Sequence, residues 1–301
     1  TTGGVTASYR IRTSDGDNIS PKGAAVTATA ATTDLPYAGA VSADAPHTHW
    51  RLDETEGTTA VDSSGGGHLG SYANVTLGGD SALADGDGLS ATFNGSRSRV
   101  NTVDPDRVIA VSDYSVELWF RTTSNRGGKL IGYGNSRTGN SSSYDRHLYL
   151  TNAGNVVYGN YPGSPQTVIS PSGYRDGQWH HVVGTTGPQG MRLYVDGRQV
   201  GANTVTSGQA YFGWWRVGGD TIGSGWPNRP SSNYFSGGID EVSIYDKQLT
   251  SARIFEHFRQ GRPSGWTDTA DPSRPGVPTA TTRCPWARAA RHASSTSGST
   301  R

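Results

Sequence analysis

The sequence predicts an all-β protein, a sandwich of two antiparallel sheets with very little helix. Only 33% of the residues are hydrophobic and 42 of the 301 are glycine, a balance typical of a β protein with many turns. Short runs with a two-residue apolar period recur between clusters of Gly, Asn, Asp, Ser and Pro, and helical periodicity is almost absent. Sheets with one apolar face must cover each other, so the core is expected between two sheets.

The clearest strand signal lies in residues 177–200. Apolar and polar side chains alternate over residues 191–195, which is the period of a strand with one buried face. Asp196 and Gly197 follow at once, and Asp-Gly between extended runs predicts a two-residue hairpin because both turn positions need positive φ. Residues 187–190 form a second predicted turn. This region therefore predicts three consecutive strands.

The first 46 residues are predicted to lie outside the sandwich. Residues 7–17 and 23–30 are predicted to form one strand each, and two strands cannot bury a core. We therefore expect residues 1–30 to be the end of a domain, within a longer protein. Residues 31–46 contain two prolines with several Ala and Asp residues, and are expected to be a linker.

Several motifs in the middle of the chain match a known family in their order and spacing. They are WHHV (179–182), LYVDG (193–197) and GGIDEVSIYD (237–246), supported by HWRLDE (49–54), FNG (93–95) and YSVELWF (114–120). Together they resemble the laminin-G-like members of the concanavalin A-like lectin/glucanase superfamily. The resemblance implies a jelly-roll domain, which we place at residues 47–261. Residues 1–30 similarly resemble the C-terminal strands of a fibronectin type III domain.

One helix and one disordered tail are predicted at the C-terminal side. Thr250 suits the N-cap of a helix over residues 250–260, because apolar residues recur there at helical spacing, and Gly261 ends it. Residues 262–301 are rich in Pro, Ser, Thr, Ala and Arg with almost no aliphatic side chains, so this segment is predicted to be disordered. The single cysteine, Cys284, rules out an intrachain disulfide.

Composition also limits the partners. The formal net charge is +1, which gives no electrostatic reason to expect nucleic acid. No apolar run approaches the roughly 20 residues that span a bilayer, so no membrane partner is expected. The high Thr, Ser and Gly content favours an extracellular or cell-surface module of a secreted bacterial protein, and we expect it to be monomeric.

Catalysis is not expected from the acidic residues. Glycosidases need two carboxylates about 5–9 Å apart across a groove. Asp240 and Glu241 are neighbours on a predicted strand and point to opposite faces, and no Gly-x-Ser-x-Gly motif is present. We therefore expect a non-catalytic carbohydrate-binding module that takes a polysaccharide or other glycan. A protein-interaction or spacer module is one alternative, because laminin-G-like modules also bind proteins, and a glycan-active enzyme on the same scaffold is another.

Candidate glycan-binding residues lie on two long segments and the strands beside them. Residues 132–146 and 218–236 exceed the length of about 12–15 residues above which unstructured loops are usually functional or disordered. Aromatic rings cover the apolar side of a sugar, and planar polar groups bond its hydroxyls. The candidates on or near these segments are Asp145, Arg146, Tyr161, Trp214, Trp215, Trp226, Asn228 and Tyr234.

Two further candidates share one face of a predicted strand. Trp119 and Arg121 alternate with aliphatic residues that must face the core, so we expect them to form the wall of a groove. The alternative is that Trp119 only covers an edge of the sandwich.

A structural calcium ion is expected at Asp240. This residue has the same strand parity as Val242 and Ile244, which would direct its carboxylate inward. A buried carboxylate without a partner is costly, and a hard cation held by oxygen atoms would compensate it. The resemblance implies a calcium at this aspartate, with the remaining ligands from Glu54, Asp62 and the carbonyl of Gly95. The alternative is that Asp240 accepts hydrogen bonds from loop amides.

Overall fold

A computed structural model describes residues 6–9, 26–29, 36–83, 88–105 and 112–262. Within these residues the chain forms two large antiparallel sheets, a separate pair of short strands and two helices. Neither helix is long and apolar enough to cross a membrane. The predicted tail at 262–301 lies outside the described residues except for Arg262.

Sheet I contains eight strands that pair antiparallel. In spatial order they are β13 (Gln166–Gly173), β12 (Asn155–Asn160), β11 (Tyr144–Leu150), β10 (Gly128–Gly134), β17 (Trp214–Val217), β8 (Arg99–Thr102), β5 (Gly70–Ala73) and β4 (Thr59–Ala60).

Sheet II also contains eight strands, one of which pairs beside the main order. The order is β16 (Arg198–Asn203), β15 (Met191–Val195), β14 (Trp179–Thr186), β9 (Tyr114–Arg121), β18 (Ser236–Tyr245), β7 (Leu89–Asn94) and β6 (Thr76–Asp80), and β3 (Thr48–Trp50) pairs with β18.

The core lies between the two sheets, which confirms the predicted sandwich. Leu118 and Phe120 of β9 are fully buried there, together with Leu148 and Leu150 of β11. The predicted hairpin is also confirmed, because Val195 pairs with Arg198 across a two-residue turn. Its turn residues, Asp196 and Gly197, have φ values of 51° and 72°.

The N-terminal strands pair with each other. They are β1 (Thr6–Tyr9) and β2 (Val26–Thr29), which pair antiparallel; β2 lies within the predicted segment 23–30, and β1 begins one residue before the predicted segment 7–17.

The predicted linker is partly a helix. Helix α1 (Pro36–Ala43) occupies residues assigned to the linker, and Tyr37 and Val41, one helical turn apart, are fully buried. Helix α2 (Ser251–Gly261) begins where predicted, and the side chain of Thr250 accepts a hydrogen bond from the Arg253 amide at 3.3 Å. The domain therefore includes α1, and its N-terminal boundary lies before residue 47.

Both helices lie on the outer face of sheet II and are tied to it by one buried carboxylate. Glu117 of β9 accepts hydrogen bonds from Tyr37 of α1 (3.0 Å) and Tyr245 of β18 (2.8 Å). It also contacts His181 Nε2 at 2.7 Å and His257 Nδ1 of α2 at 3.0 Å. We call these five residues the Glu117 cluster. All five side chains are buried, so the cluster fixes the helices against the strands.

His257 connects the Glu117 cluster to the end of α1. Its Nδ1 faces Glu117, and its Nε2 faces Asp44 Oδ2 at 3.0 Å and the Ala40 carbonyl at 3.1 Å. Both ring nitrogens therefore face acceptors, which is the arrangement of a protonated imidazole. Burial lowers the pKa of His257, but the charge and hydrogen bond of Glu117 and the charge of Asp44 together outweigh this effect, and the pKa lies above its usual value.

A β-bulge in β18 reverses the predicted orientation of Asp240. Glu241 has φ 50° and the register with β9 shifts between Asp240 and Ser243. Asp240 pairs directly with Trp119, whose side chain faces away from the core, so Asp240 shares that outer face. Val242 beyond the bulge faces the core. The prediction that Asp240 points inward was wrong, because the extra residue of the bulge shifts the alternation of side chains between the two faces of the strand.

Candidate functional site

A polar pocket with three aromatic rings opens on the outer side of sheet I. Its volume is about 250 Å³, and its lining residues come from the two long loops and the segments before β13 and β17: Ser142, Ser143, Tyr144, Tyr161, Gln209 and Trp226. We call it the aromatic pocket. The ring centroids of Tyr161 and Tyr144 lie 6.2 and 6.4 Å from that of Trp226. Two of the predicted residues, Tyr161 and Trp226, thus meet there.

Trp226 forms the base of the aromatic pocket and is only 5% exposed. It packs with Ile222 of its own loop against Tyr149 and Val157, which face away from the core of the sandwich. A Cβ atom at position 159 would lie 2.5 Å from the indole, so glycine is needed there for the ring to lie this close to the sheet. The long loop is therefore packed onto sheet I and does not project from it.

The rim of the aromatic pocket is positioned by a buried ion pair. Asp145 Oδ2 accepts a hydrogen bond from the Gln209 amide at 2.7 Å, and Asp145 also accepts one from the Tyr161 amide. Arg146 contacts Asp145 Oδ1 at 3.1 Å and donates to the Gln209 carbonyl. Its guanidinium lies 4.7 Å from the ring centroid of Tyr133. Asp145 and Arg146, both predicted to bind ligand, are buried and instead hold the residues that line the pocket.

A layer of buried polar groups lies beneath the aromatic pocket. Lys129 Nζ has no hydrogen-bond partner among the described residues, lies 3.8 Å from Asp220 Oδ2, and is 5.3 Å from the ring centroid of Tyr144. Arg216 Nη1 lies 3.0 Å from the other oxygen of Asp220. His147 lies under Trp226 with a centroid distance of 4.1 Å, and neither ring nitrogen has a hydrogen-bond partner in the described part of the chain.

Burial governs the ionisation of this layer. It lowers the pKa of Lys129 to about 8, although the charge of Asp220 opposes the change. It also lowers the pKa of His147 well below its usual value, and the positive charge of Lys129 adds to that effect. His147 is therefore neutral near pH 7 and supports Trp226 as an aromatic surface.

The laminin G family model, described as the concanavalin A-like lectin/glucanases superfamily, matches residues 94–255, more than half of the chain. The chain belongs to the concanavalin A-like lectin/glucanase superfamily. Pentraxin-4 from Homo sapiens is 29% identical over 179 residues, which are 54% of this chain and 34% of pentraxin-4. The chain thus spans about a third of the length of that relative.

Solved structures agree with this fold. The binding domain of botulinum neurotoxin serotype D matches with a TM-score of 0.51 and 19% identity, covering 72% of this chain and 52% of the toxin chain. Trypanosoma rangeli sialidase in complex with the inhibitor DANA matches with a TM-score of 0.50 and 17% identity, covering 70% and 32%. At these identities the likeness shows the fold alone, and that fold is the predicted lectin-like jelly roll.

Two tryptophans predicted to bind ligand in this superfamily member are buried elsewhere. Trp119 faces outward from sheet II, but α1 and α2 cover it, with Tyr37 and Phe258 at centroid distances of 6.1 and 6.0 Å. Trp215 packs in the core against Tyr133 at 5.2 Å. Neither ring can reach a ligand because other side chains cover both. Trp119 is therefore not the wall of an open groove, and it lies beneath the two helices instead of covering an edge of the sandwich.

The remaining predicted residues lie outside the aromatic pocket. Asn228 is exposed beyond Trp226, while Trp214 and Tyr234 are half-buried, and none of the three lines the pocket. Arg121 lines a separate cleft on sheet II. Sequence reasoning missed Gln209, Ser142 and Ser143 in this role. The only signal for them was the length of their segments, because Ser and Gln are ordinary loop residues.

The four predicted calcium ligands do not form one site. Glu54 accepts from the Val61 amide at 2.7 Å and from the Tyr72 hydroxyl, which occupies both of its oxygens. Asp62 accepts from the amides of His49 and His68, at 2.9 and 2.8 Å. In the described part of the chain, no three His, Cys, Asp or Glu side chains are grouped as a metal site.

Asp240 is the one carboxylate of the predicted calcium ligands whose hydrogen bonding is incomplete among the described residues. Its Oδ2 accepts from the Ala82 amide at 2.8 Å, as expected for an aspartate that caps a loop, while Oδ1 has no partner among the described residues. Burial and the nearby charge of Glu241 raise the pKa of Asp240 well above its usual value. The carbonyl of Gly95, the fourth predicted ligand, accepts from the Ser232 hydroxyl at 3.2 Å. Calcium at Asp240 stays a prediction.

Proposed function

We propose that this domain is a non-catalytic carbohydrate-binding module in which a sugar ring binds in the aromatic pocket. One observation carries the proposal: Tyr144, Tyr161 and Trp226, from three separate segments, converge on one open pocket whose other lining groups are two serines and a glutamine. Aromatic faces cover the C–H side of a sugar, and amide and hydroxyl groups bond its hydroxyls.

The chemistry of the lining supports binding without hydrolysis. Glycosidases use two carboxyl groups about 5–9 Å apart. None of the six lining residues carries a carboxylate, and the nearby Asp145 is buried with hydrogen bonds to both oxygens. The proposed module therefore binds its ligand and releases it without hydrolysing it.

The proposal includes the setting of the module. We place it outside the cell or at the cell surface of a bacterium, as part of a longer protein, because its composition is rich in Thr, Ser and Gly. The paired strands β1 and β2 are consistent with a preceding domain of fibronectin type III type. The coverage of only a third of pentraxin-4 is consistent with a module of a larger protein.

A glycan array followed by calorimetric titration of the best neutral oligosaccharide tests the proposal. Tyr161→Ala removes a half-buried ring at the rim and should weaken binding at least about tenfold, as expected for an aromatic hot spot. Trp226→Ala is a poor test because this ring is buried and its loss would destabilise the loop. Phe212→Ala is the matched control, since Phe212 is 66% exposed and lies outside the pocket.

Three outcomes would contradict the proposal. Binding that Tyr161→Ala and Gln209→Ala leave unchanged would place the ligand elsewhere. Release of shortened oligosaccharide during incubation with the wild-type protein, but not with a heat-inactivated sample, would favour the enzyme alternative. An array with no glycan bound, together with capture of a purified protein that Tyr161→Ala abolishes, would favour the protein-interaction alternative.

A further inference from the structure

A second open site lies at one end of the outer face of sheet II. Four directly paired residues form a row across neighbouring strands of this face: Thr92 of β7, Gly238 of β18, Arg121 of β9 and Trp179 of β14. The next row, which contains Asp240, Trp119 and His181, is the one that the helices cover. The row through Arg121 is the first that remains open.

Three residues of the open row, Thr92, Gly238 and Arg121, line a cleft of about 520 Å³, roughly twice the volume of the aromatic pocket. Hydroxyl groups line most of it, and the residues around Arg121 and Gly238 are Thr92, Thr122, Thr123, Ser124, Gly177, Ser236 and Gly237. We call it the Arg121 cleft. None of these nine lining residues is a Val, Leu, Ile, Met, Phe, Tyr or Trp.

Glycine at two positions of β18 keeps this surface flat. A Cβ at Gly238 would lie 2.7 Å from the indole of Trp179, and a Cβ at Gly237 would lie 2.1 Å from the carbonyl oxygen of Arg121. Gly237 also has φ 147°, a conformation that other residues rarely adopt. The absence of side chains here lets Trp179 lie over β18.

The guanidinium of Arg121 is held but not neutralised. It lies 4.9 Å from the ring centroid of Trp179, a cation–π contact. Its one acidic neighbour among the described residues is Asp80, whose Oδ2 is 4.0 Å from Nη2 and whose side chain is 92% exposed. The Arg121 side chain forms no hydrogen bond with another described residue, so the N–H groups of its guanidinium are free to donate to a ligand.

We infer that the Arg121 cleft is a second binding site, for the carboxylate of an acidic sugar in a glycan chain. The planar guanidinium matches a carboxylate through two parallel hydrogen bonds, and the surrounding hydroxyls match the hydroxyls of a sugar. The inference rests on the proposed carbohydrate-binding function for its class of ligand. Its location on the opposite sheet, however, is independent of the aromatic pocket.

The test compares a short oligogalacturonate with its carboxyl-reduced, neutral counterpart by calorimetric titration. Arg121→Gln should lower the affinity for the oligogalacturonate more than about tenfold and leave that for the neutral oligomer unchanged. Arg121→Lys keeps the charge but cannot form the two parallel hydrogen bonds of a guanidinium, so it should also weaken binding of the oligogalacturonate. Arg137→Gln is the matched control, because Arg137 is exposed on a loop of sheet I and the variant has the same net charge.

The variants separate this inference from the proposed function. Loss of oligogalacturonate binding in Tyr161→Ala but not in Arg121→Gln would assign the acid to the aromatic pocket and overturn the second site. No measurable binding of the oligogalacturonate by the wild-type protein would overturn it too, whatever the neutral oligomer does. An acidic peptide that binds as tightly and is lost equally in Arg121→Gln would overturn the sugar assignment. A melting temperature for Arg121→Gln equal to that of Arg137→Gln verifies that the fold is retained.

Discussion

Removal of the buried charge of Glu117 should loosen both helices from sheet II. The variant Glu117→Gln keeps the shape of the side chain but removes one of the two carboxylates that face the protonated His257, and Asp44 remains. Breaking a buried ion pair from one side costs about 3–5 kcal/mol, because the remaining charge stays desolvated. For a domain of this size that corresponds to a fall in Tm on the order of 10 °C.

The pH dependence of this loss has a defined sign. Burial raises the pKa of Glu117, but the charge of His257 and the hydrogen bonds from His181 and His257 outweigh it, so the pKa lies well below its usual value of 4.5. Its contribution is therefore present above pH 4.5 and lost as the pH falls through the lowered pKa. His257 has a raised pKa, so its contribution is present below pH 6.5 and lost as the pH rises through that pKa.

The stability difference between wild type and Glu117→Gln should thus be largest between pH 4.5 and 6.5. Urea unfolding at a series of pH values measures it. Glu256→Gln, on the helix that carries His257, is the control, because Glu256 pairs with Arg259 at the surface and such pairs contribute about 0.5 kcal/mol. A Glu117→Gln loss no larger than that of the control, or one that is constant with pH, would refute the role assigned to the Glu117 cluster.

Two further predictions concern buried charges elsewhere. The pKa of Lys129 is about 8 in the fold and 10.5 in the unfolded chain, so the unfolded state binds more protons between these pH values and wild-type stability should rise there by up to about 1.4 kcal/mol per pH unit. In urea unfolding, Lys129→Met should lack this rise. Identical slopes of stability against pH for the variant and the wild type would show that Lys129 keeps an ordinary pKa. If calcium binds at Asp240, a chelator should lower the stability by about 2.7 kcal/mol for a site held at about a hundred times its Kd, and Asp240→Asn should remove that response. A wild-type melt unchanged by chelator would exclude the ion.

Local patterns in the sequence were sufficient for the elements that depend on local chemistry. The turn at Asp196 and Gly197 needs only two residues that tolerate positive φ, and α2 needs only the Thr250 cap and an apolar stripe. Helix α1 could not be predicted in the same way. Tyr37 and Val41 are its two buried apolar anchors, and the helix is stabilised by contacts with residues 80 or more positions away.

The candidate site was predicted in part, because exposure depends on what covers a loop. Trp226 lies among Gly, Ser, Pro and Asn, a composition that suggested an exposed ring. In the structure the loop folds back onto sheet I. Two hydrogen bonds hold it there, one from the Tyr149 hydroxyl to the Pro227 carbonyl and one from Arg229 to the Ile222 carbonyl at 2.7 Å. These partners are distant in sequence or have no distinctive pattern, so the burial of Trp226 could not be foreseen.

Trp119 and Arg121 show why strand parity alone cannot locate a binding surface. They are two residues apart on β9 and share the outer face of sheet II, so the alternation assigns both to one surface. Helix α2 ends at Gly261, where an added Cβ would lie 2.8 Å from the indole of Trp119, and Arg121 lines the cleft beyond this contact. The end of one helix therefore decides which of the two side chains is core and which can bind a ligand. It follows that the Arg121 cleft depends on the docking of the helices, and that its affinity for an acidic sugar should fall if the Glu117 cluster is broken and α2 moves over β9.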